Sequence, residues 1–387
     1  MPPAWTPLVE PRKLSPDQGE YFRDPNAASF PTYPLEPAVR TLLLEDEELD
    51  TQSIDLFACT STLGSLLRFV RRVDKQCRFW VEVVGNTVFF IRHENSPKEL
   101  IPDVKGYGHT FPEAYTSWDP AVKASASHQR LLRYDFAGLD CIVRFECDGY
   151  LRERVPMAAT AITTTAAKSW QTQDVGTLDD VLSTLKVRSI LNGGSIPSDK
   201  LEIGIAGQKV PQDAVFDLKT RWAGRKNINV LEDELPRYWV AQIPNFILAL
   251  HSNGVFNDVK VQRIPTTVDE WEAENQKDLK ALTFLLHTII DEAKKRKDGK
   301  LEVRVKNLDE LELRMHDSNE HNVLPPELNI RWRSGKETTR VKLEEAKSAD
   351  NHSEDGDQAP NLSSDDDDTE DYTACSAECD YCGHCSY

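Results

Sequence analysis

The chain has 387 residues, 39% of them hydrophobic, and a formal net charge of −18, which is enough to bury a large core in one big domain or two smaller ones. From Ser348 onward there are twelve acidic residues and no Lys or Arg, so the body carries only −6 and has room for a basic groove. No apolar run is long enough to span a membrane, and the Met-Pro-Pro-Ala-Trp start has neither region of a signal peptide, so a membrane partner is excluded and the expected location is nuclear or cytoplasmic.

Residues 1–36 are rich in Pro and read as an extended arm, laid on the surface or left loose. Residues 54–73 carry Leu63, Leu66, Leu67 and Val70 at helical spacing, with Arg68, Arg71 and Arg72 on or near one side. Phe79-Trp-Val-Glu-Val-Val, the turn Gly85-Asn86 and Thr87-Val-Phe-Phe-Ile-Arg92 form a hairpin signal. After a glycine-rich loop a helix is expected to begin near Glu113. Two further strands, 130–135 and 139–148, join around Ala137-Gly138, and the second ends with Glu146 and Asp148 on one face. Residues 151–200 read as an insertion containing a short amphipathic helix over 177–186. Strands are expected at 201–205 and through Ala214-Val-Phe-Asp-Leu-Lys-Thr-Arg221. A helix interrupted by Pro244 is expected over 235–250, a strand over 255–261 and a long helix over 268–297. Strands at 301–305, 311–315 and 328–332 complete the folded part. Cys59, Cys77, Cys141 and Cys147 lie in apolar segments and are expected to be buried free thiols.

Chemistry concentrates where charge interrupts apolar sequence. In a strand Asp217 and Lys219 share one face, while Phe216 and Leu218 point the other way into the core. An acid-x-Lys pair at a strand end serves metal-dependent nucleases, the carboxylate holding a divalent ion and the lysine meeting a phosphate. An exposed ion pair worth under ~1 kcal/mol would look the same. The companions distinguish the two readings: Glu113, Glu146, Asp148 and Gln242. Mg²⁺ and Mn²⁺ take oxygen ligands from several carboxylates, and two such ions about 4 Å apart clamp a phosphodiester or pyrophosphate displacement. Lys219 would offset phosphoryl charge and Gln242 would orient a phosphate or water.

The order of these motifs resembles the eukaryotic decapping exonucleases of the DXO type. It runs from Gly64 and Leu66-Leu67 through the hairpin, Gly108-His-Thr-Phe-Pro-Glu113, the strand pair ending Phe-Glu-Cys-Asp148 and Phe216-Asp-Leu-Lys-Thr to Trp239-Val-Ala-Gln242. The resemblance covers about residues 60 to 290 and implies an α+β fold: a mixed β-sheet nuclease core of the PD-(D/E)xK type flanked by helices. It also implies that Glu113, Asp148, Asp217 and the Leu218 backbone carbonyl bind Mg²⁺ or Mn²⁺, with two ions possible. Glu146, Lys219 and Gln242 would be catalytic, and the partner would be an RNA 5′ end. The sequence departs from the family at Leu63-Gly64, where the family has Arg-Gly, and has Asp217 where the family has Glu.

The chain divides into the arm over 1–36, the nuclease-like domain over 37–335 and an acidic tail over 336–387, expected to be disordered. The tail ends with Cys375, Cys379, Cys382 and Cys385, four thiols that would hold one Zn²⁺ or form a tag for a protein partner. Asp367-Asp-Thr-Glu-Asp371 spells the Asp-Asp-x-x-Asp of prenyl-diphosphate synthases, but that class needs its acids on packed helices. The serious alternative to a nuclease is a non-catalytic scaffold on the same fold.

Overall fold

The structure of the protein, a computed structural model, describes residues 1–73, 76–94, 96–102, 104–156, 201, 203–224, 229–315 and 322–335. Two mixed sheets share the interior. The first contains β1 (Ala4–Trp5), β5 (Thr116–Ser117), β8 (Gly149–Tyr150), β9 (Val215–Trp222), β10 (Asn245–Ser252) and β11 (Val255–Arg263), in the order β11-β10-β9-β8-β1-β5. The second contains β2 (Leu56–Cys59), β3 (Cys77–Val84), β4 (Thr87–Arg92), β6 (Gln129–Phe136), β7 (Leu139–Glu146), β12 (Lys300–Val305) and β13 (Leu311–Met315), in the order β13-β12-β3-β4-β2-β7-β6. The expected α+β class with flanking helices holds, with two sheets in place of a single one. An all-helical prenyl synthase does not have such sheets.

Strand alternation divides the second sheet between two cores. Leu56, Ala58 and Phe90 face α3 (Thr60–Val70), α5 (Val230–Ala241), α6 (Pro265–Glu274) and α7 (Gln276–Lys295). Phe57 and Phe89 face the opposite way, toward α2 (Glu36–Glu45) and α8 (Pro326–Ser334). The short α1 (Pro25–Ser29) and α4 (Thr110–Tyr115) lie in the arm and before β5.

Five segments differ from the sequence expectation. The arm is built into the fold: Ala4 pairs with Tyr150 on one side and Ser117 on the other, and is 2% exposed. Residues 235–250 are not one interrupted helix. Gln242 turns left-handed at φ 52°, Ile243 donates back to the Tyr238 carbonyl, and the chain leaves as β10 parallel to β9. Residues 328–332 form α8, with Pro326 in the first turn and Leu328 and Trp332 buried one turn apart. The long helix is broken at Asn275 into α6 and α7, and residues 201 and 203–205 form no strand.

The four cysteines of the body are buried free thiols. No described helix is long and apolar enough to cross a membrane. The expected helix at 177–186, most of the insertion, the acidic tail, its Asp-Asp-x-x-Asp run and Cys375, Cys379, Cys382 and Cys385 lie outside the described residues.

Candidate functional site

The two sheets meet where β7 hands the chain to β8 through Cys147 and Asp148. Gly149 pairs antiparallel with Phe216, so one residue further back Asp148 comes opposite Asp217. There Asp148 takes over the role of a strand neighbour: its Oδ2 accepts the Leu218 backbone N–H at 2.7 Å. Close approach demands the glycine that follows, because a Cβ at Gly149 would run into the Phe216 ring and sit 2.8 Å from the Pro3 carbonyl oxygen.

Alternation along β9 works as expected. Phe216 and Leu218 enter the core shared with Phe111, Tyr115 and Ile247. Asp217 and Lys219 face α5 instead, and both are buried, at 3% and 1% exposure. This is no surface ion pair. Lys219 Nζ lies 3.5 Å from Asp217 Oδ1, and Tyr238 Oη donates to the same oxygen at 2.9 Å. The other oxygen, Oδ2, is ion-paired with the Arg237 guanidinium. Arg237 in turn donates through Nε to Glu234 Oε2 at 3.0 Å. Buried charges are tolerated only when paired and hydrogen-bonded, and here they alternate in sign along Glu234, Arg237, Asp217 and Lys219.

The two aspartates titrate in opposite directions. Burial, then the adjacent Asp217, pushes the Asp148 carboxyl above the usual carboxylate range, against the pull of Lys219. Burial works to raise Asp217 as well, but Arg237 and Lys219, helped by the hydrogen bonds from Arg237 and Tyr238, hold it below that range.

The remaining sequence candidates lie at the end of β7, on α4 and at the end of α5. Glu146 ends β7, two residues before Asp148, opposite Gln129. Glu113 is exposed on α4, whose buried Phe111 and Tyr115 pack on the Phe216 and Leu218 side of β9, opposite the face that carries Asp217. Gln242 is exposed at the C-cap of α5, with its Nε2 donating to the Trp239 carbonyl at 2.9 Å. It therefore closes the end of the helix. Leu63 is buried among apolar neighbours. Of the arginines near it, Arg72 pairs with Asp309 and Arg71 lies over the Trp271 ring. Sequence reasoning missed Glu234, Arg237 and Tyr238. The available signal was a Glu-x-x-Arg pair inside an apolar helical segment, one turn from where α5 meets β9.

The donors at this corner are of the type a hard divalent cation takes. Asp148 and Asp217 bring hard carboxylate oxygens to either side of the Leu218 backbone. Among the described residues no group of three or more His, Cys, Asp or Glu gathers around a common point, so the expected acids Glu113, Asp148 and Asp217 are not brought together.

A family model described as Domain of unknown function (DUF8563) matches residues 1–332. No curated protein matches the chain. Among solved structures, Rai1 of Scheffersomyces stipitis in complex with (3'-NADP)+ and calcium ion is 11% identical, covers 86% of this chain and 88% of its own, and has a TM-score of 0.50. S. pombe Rai1 is 11% identical over 81% of this chain and 86% of its own, with a TM-score of 0.48. K. lactis Dxo1 in complex with manganese is 8% identical over 82% and 94%, with a TM-score of 0.44. The S. stipitis likeness establishes the fold, and at that level the resemblance read from the sequence holds.

Proposed function

The chain belongs to the family described as Domain of unknown function (DUF8563), and from that premise we propose that it is a metal-dependent phosphodiesterase or pyrophosphohydrolase acting on RNA 5′ ends. The observation that carries this reading is the hydrogen bond from the Leu218 N–H to Asp148, which sets a strand-end acid beside the Asp217-Leu-Lys219 corner. Asp148, Asp217 and the Leu218 carbonyl would hold an Mg²⁺ or Mn²⁺ ion. Such an ion, when bound, supplies positive charge to a phosphate oxygen and to the attacking water.

The chain's own residues do the rest. Tyr238 and Arg237 fix the orientation of Asp217, and Lys219 places a positive charge where a phosphoryl group gains negative charge. Glu146 lies close along the chain to contact water or substrate. Recognition of RNA is supported by the shared fold, and by the reported ligand of the S. stipitis protein only as an analogy. A soak with Mn²⁺ and a nucleoside monophosphate tests the assignment. Ion density within bonding distance of Asp148 and Asp217 is the expected result, and density elsewhere with none at this corner would refute it.

A second reading, a non-catalytic scaffold on the nuclease fold, is favoured by one observation: Asp217 and Lys219 are 3% and 1% exposed. A protein that binds 5′-phosphorylated RNA and releases no nucleotide with either metal would match it.

A further inference from the structure

Strand β9 carries chemistry beyond Lys219. Two residues on, Arg221 stands on the same face as Asp217 and Lys219, toward α5, where its charge reaches Asp233 in the first turn. Among the described residues Arg221 makes no ion pair, and its Nη1 donates to the Thr220 carbonyl at 2.9 Å. The next residue, Trp222, leaves the strand on the opposite face and is 55% exposed. The sequence continues Ala-Gly-Arg-Lys226, so the stretch from Arg221 to Lys226 holds Arg221, Arg225 and Lys226 and no acid.

Trp222 is braced rather than loose. A Cβ at Gly224 would run into the six-membered part of its ring, so the glycine lets the indole lie against the backbone. In the parallel pairing of β9 with β10 the partner of Trp222 is His251, whose ring centre lies 4.5 Å from that of Tyr107 and whose Nδ1 has no hydrogen-bond partner among the described residues. A held, open indole flanked in sequence by cations suits single-stranded nucleic acid: any base stacks on the ring, and the cations meet the backbone. Trp222 lies five residues beyond Asp217, about 17 Å along the strand, while a stacked single strand advances about 3.4 Å per nucleotide. One RNA chain of several nucleotides therefore reaches from the corner to the indole.

Resting on the reading of the Asp217 corner as a site for RNA 5′ ends, we infer that the end of β9 is a subsite for the downstream strand, where Trp222 stacks a base and Arg221 meets the adjoining phosphate. A strand crossing the end of β9 turns its phosphate to one side and its base to the other, which is how the two residues are divided. The subsite does not depend on a bound metal ion.

Isothermal titration calorimetry of the full chain with a 5′-phosphorylated RNA hexamer tests this, run with chelator at several salt concentrations. Trp222→Ala is expected to weaken binding about tenfold and to leave the slope of log affinity against log salt unchanged, because a stacked ring releases no counterion. Trp222→Phe, which keeps a ring, is expected to stay within about threefold of the wild type. Arg221→Gln is expected to make the slope shallower by about 0.7. Circular dichroism establishes that each variant is folded, and should one position not tolerate substitution the other decides by itself. Equal affinity in the wild type and Trp222→Ala, a phenylalanine variant as weak as the alanine one, or an unchanged slope in Arg221→Gln would overturn the inference while leaving the reading of the corner standing. A wild type that binds no RNA with chelator or with Mn²⁺ would overturn that reading and the inference with it.

Discussion

Arg237 and Asp217 are worth more as a pair than either is alone. Removing one partner of a buried, hydrogen-bonded ion pair leaves the other charged and desolvated, which costs about 3–5 kcal/mol. Arg237→Gln should therefore lower the stability of the metal-free chain by about that amount, read as a fall in the denaturant midpoint. Tyr238→Phe removes a single hydrogen bond to a charged oxygen and should cost about 1.5–3 kcal/mol in the same experiment. His128, whose carbonyl accepts the Cys147 N–H, offers a pH-dependent test. Burial, then the amino terminus and Arg130, depress its pKa from 6.5 to about 3. Between those values the unfolded chain binds a proton that the folded chain refuses, so this contribution is intact above 6.5 and is lost as the pH falls. His128→Asn should be less sensitive to acid than the wild type over that window, and identical pH–stability curves would contradict the assignment.

At the scale of elements, packing decided what local pattern left ambiguous. In residues 328–332, Leu328, Ile330 and Trp332 alternate as in a strand, yet Leu328 and Trp332 also stand one helical turn apart. The structure buries that pair and leaves Ile330 60% exposed. Pro326 and Glu327 at the start of α8 were the legible helix signals. Trp332 anchors α8 through Phe57 and Phe89 and donates through Nε1 to Thr87 Oγ1 at 2.9 Å. Trp332→Ala should cost about 3–5 kcal/mol in thermal or denaturant unfolding. Phe246, Ile247 and Leu250 fit helix and strand alike, and the left-handed Gln242 that separates α5 from β10 has no residue-type signature of its own. The hairpin β3–β4 and strand β9 were legible because their alternation and turn residues agree. Gly149 is the most exacting position of the β7–β8 passage: Gly149→Ala should cost about 1–3 kcal/mol by overpacking against Phe216 and Pro3.

Across the whole molecule, the passage from one sheet to the other creates the candidate site. Asp148 leaves the second sheet and Asp217 lies within the first, so neither strand alone assembles the pair. Their motif spacing was legible in the sequence, because acids ending adjacent strands keep their faces. Arg237 was not, because its role depends on how α5 packs across β9. Glu113 was read from the glycine-rich turn before it and from motif order, and α4 packs on the other side of that strand. The arm completes the first sheet, in keeping with a family match that begins at residue 1. The most direct test of the account is release of 5′ nucleotides or cap fragments from short RNAs, measured with Mn²⁺ or Mg²⁺ and with chelator. The account predicts metal-dependent release by the wild type that falls at least about a hundredfold in Asp217→Ala and in Lys219→Ala. Release that persists in those variants, or a wild type that binds the RNA and releases nothing with either metal, would contradict it.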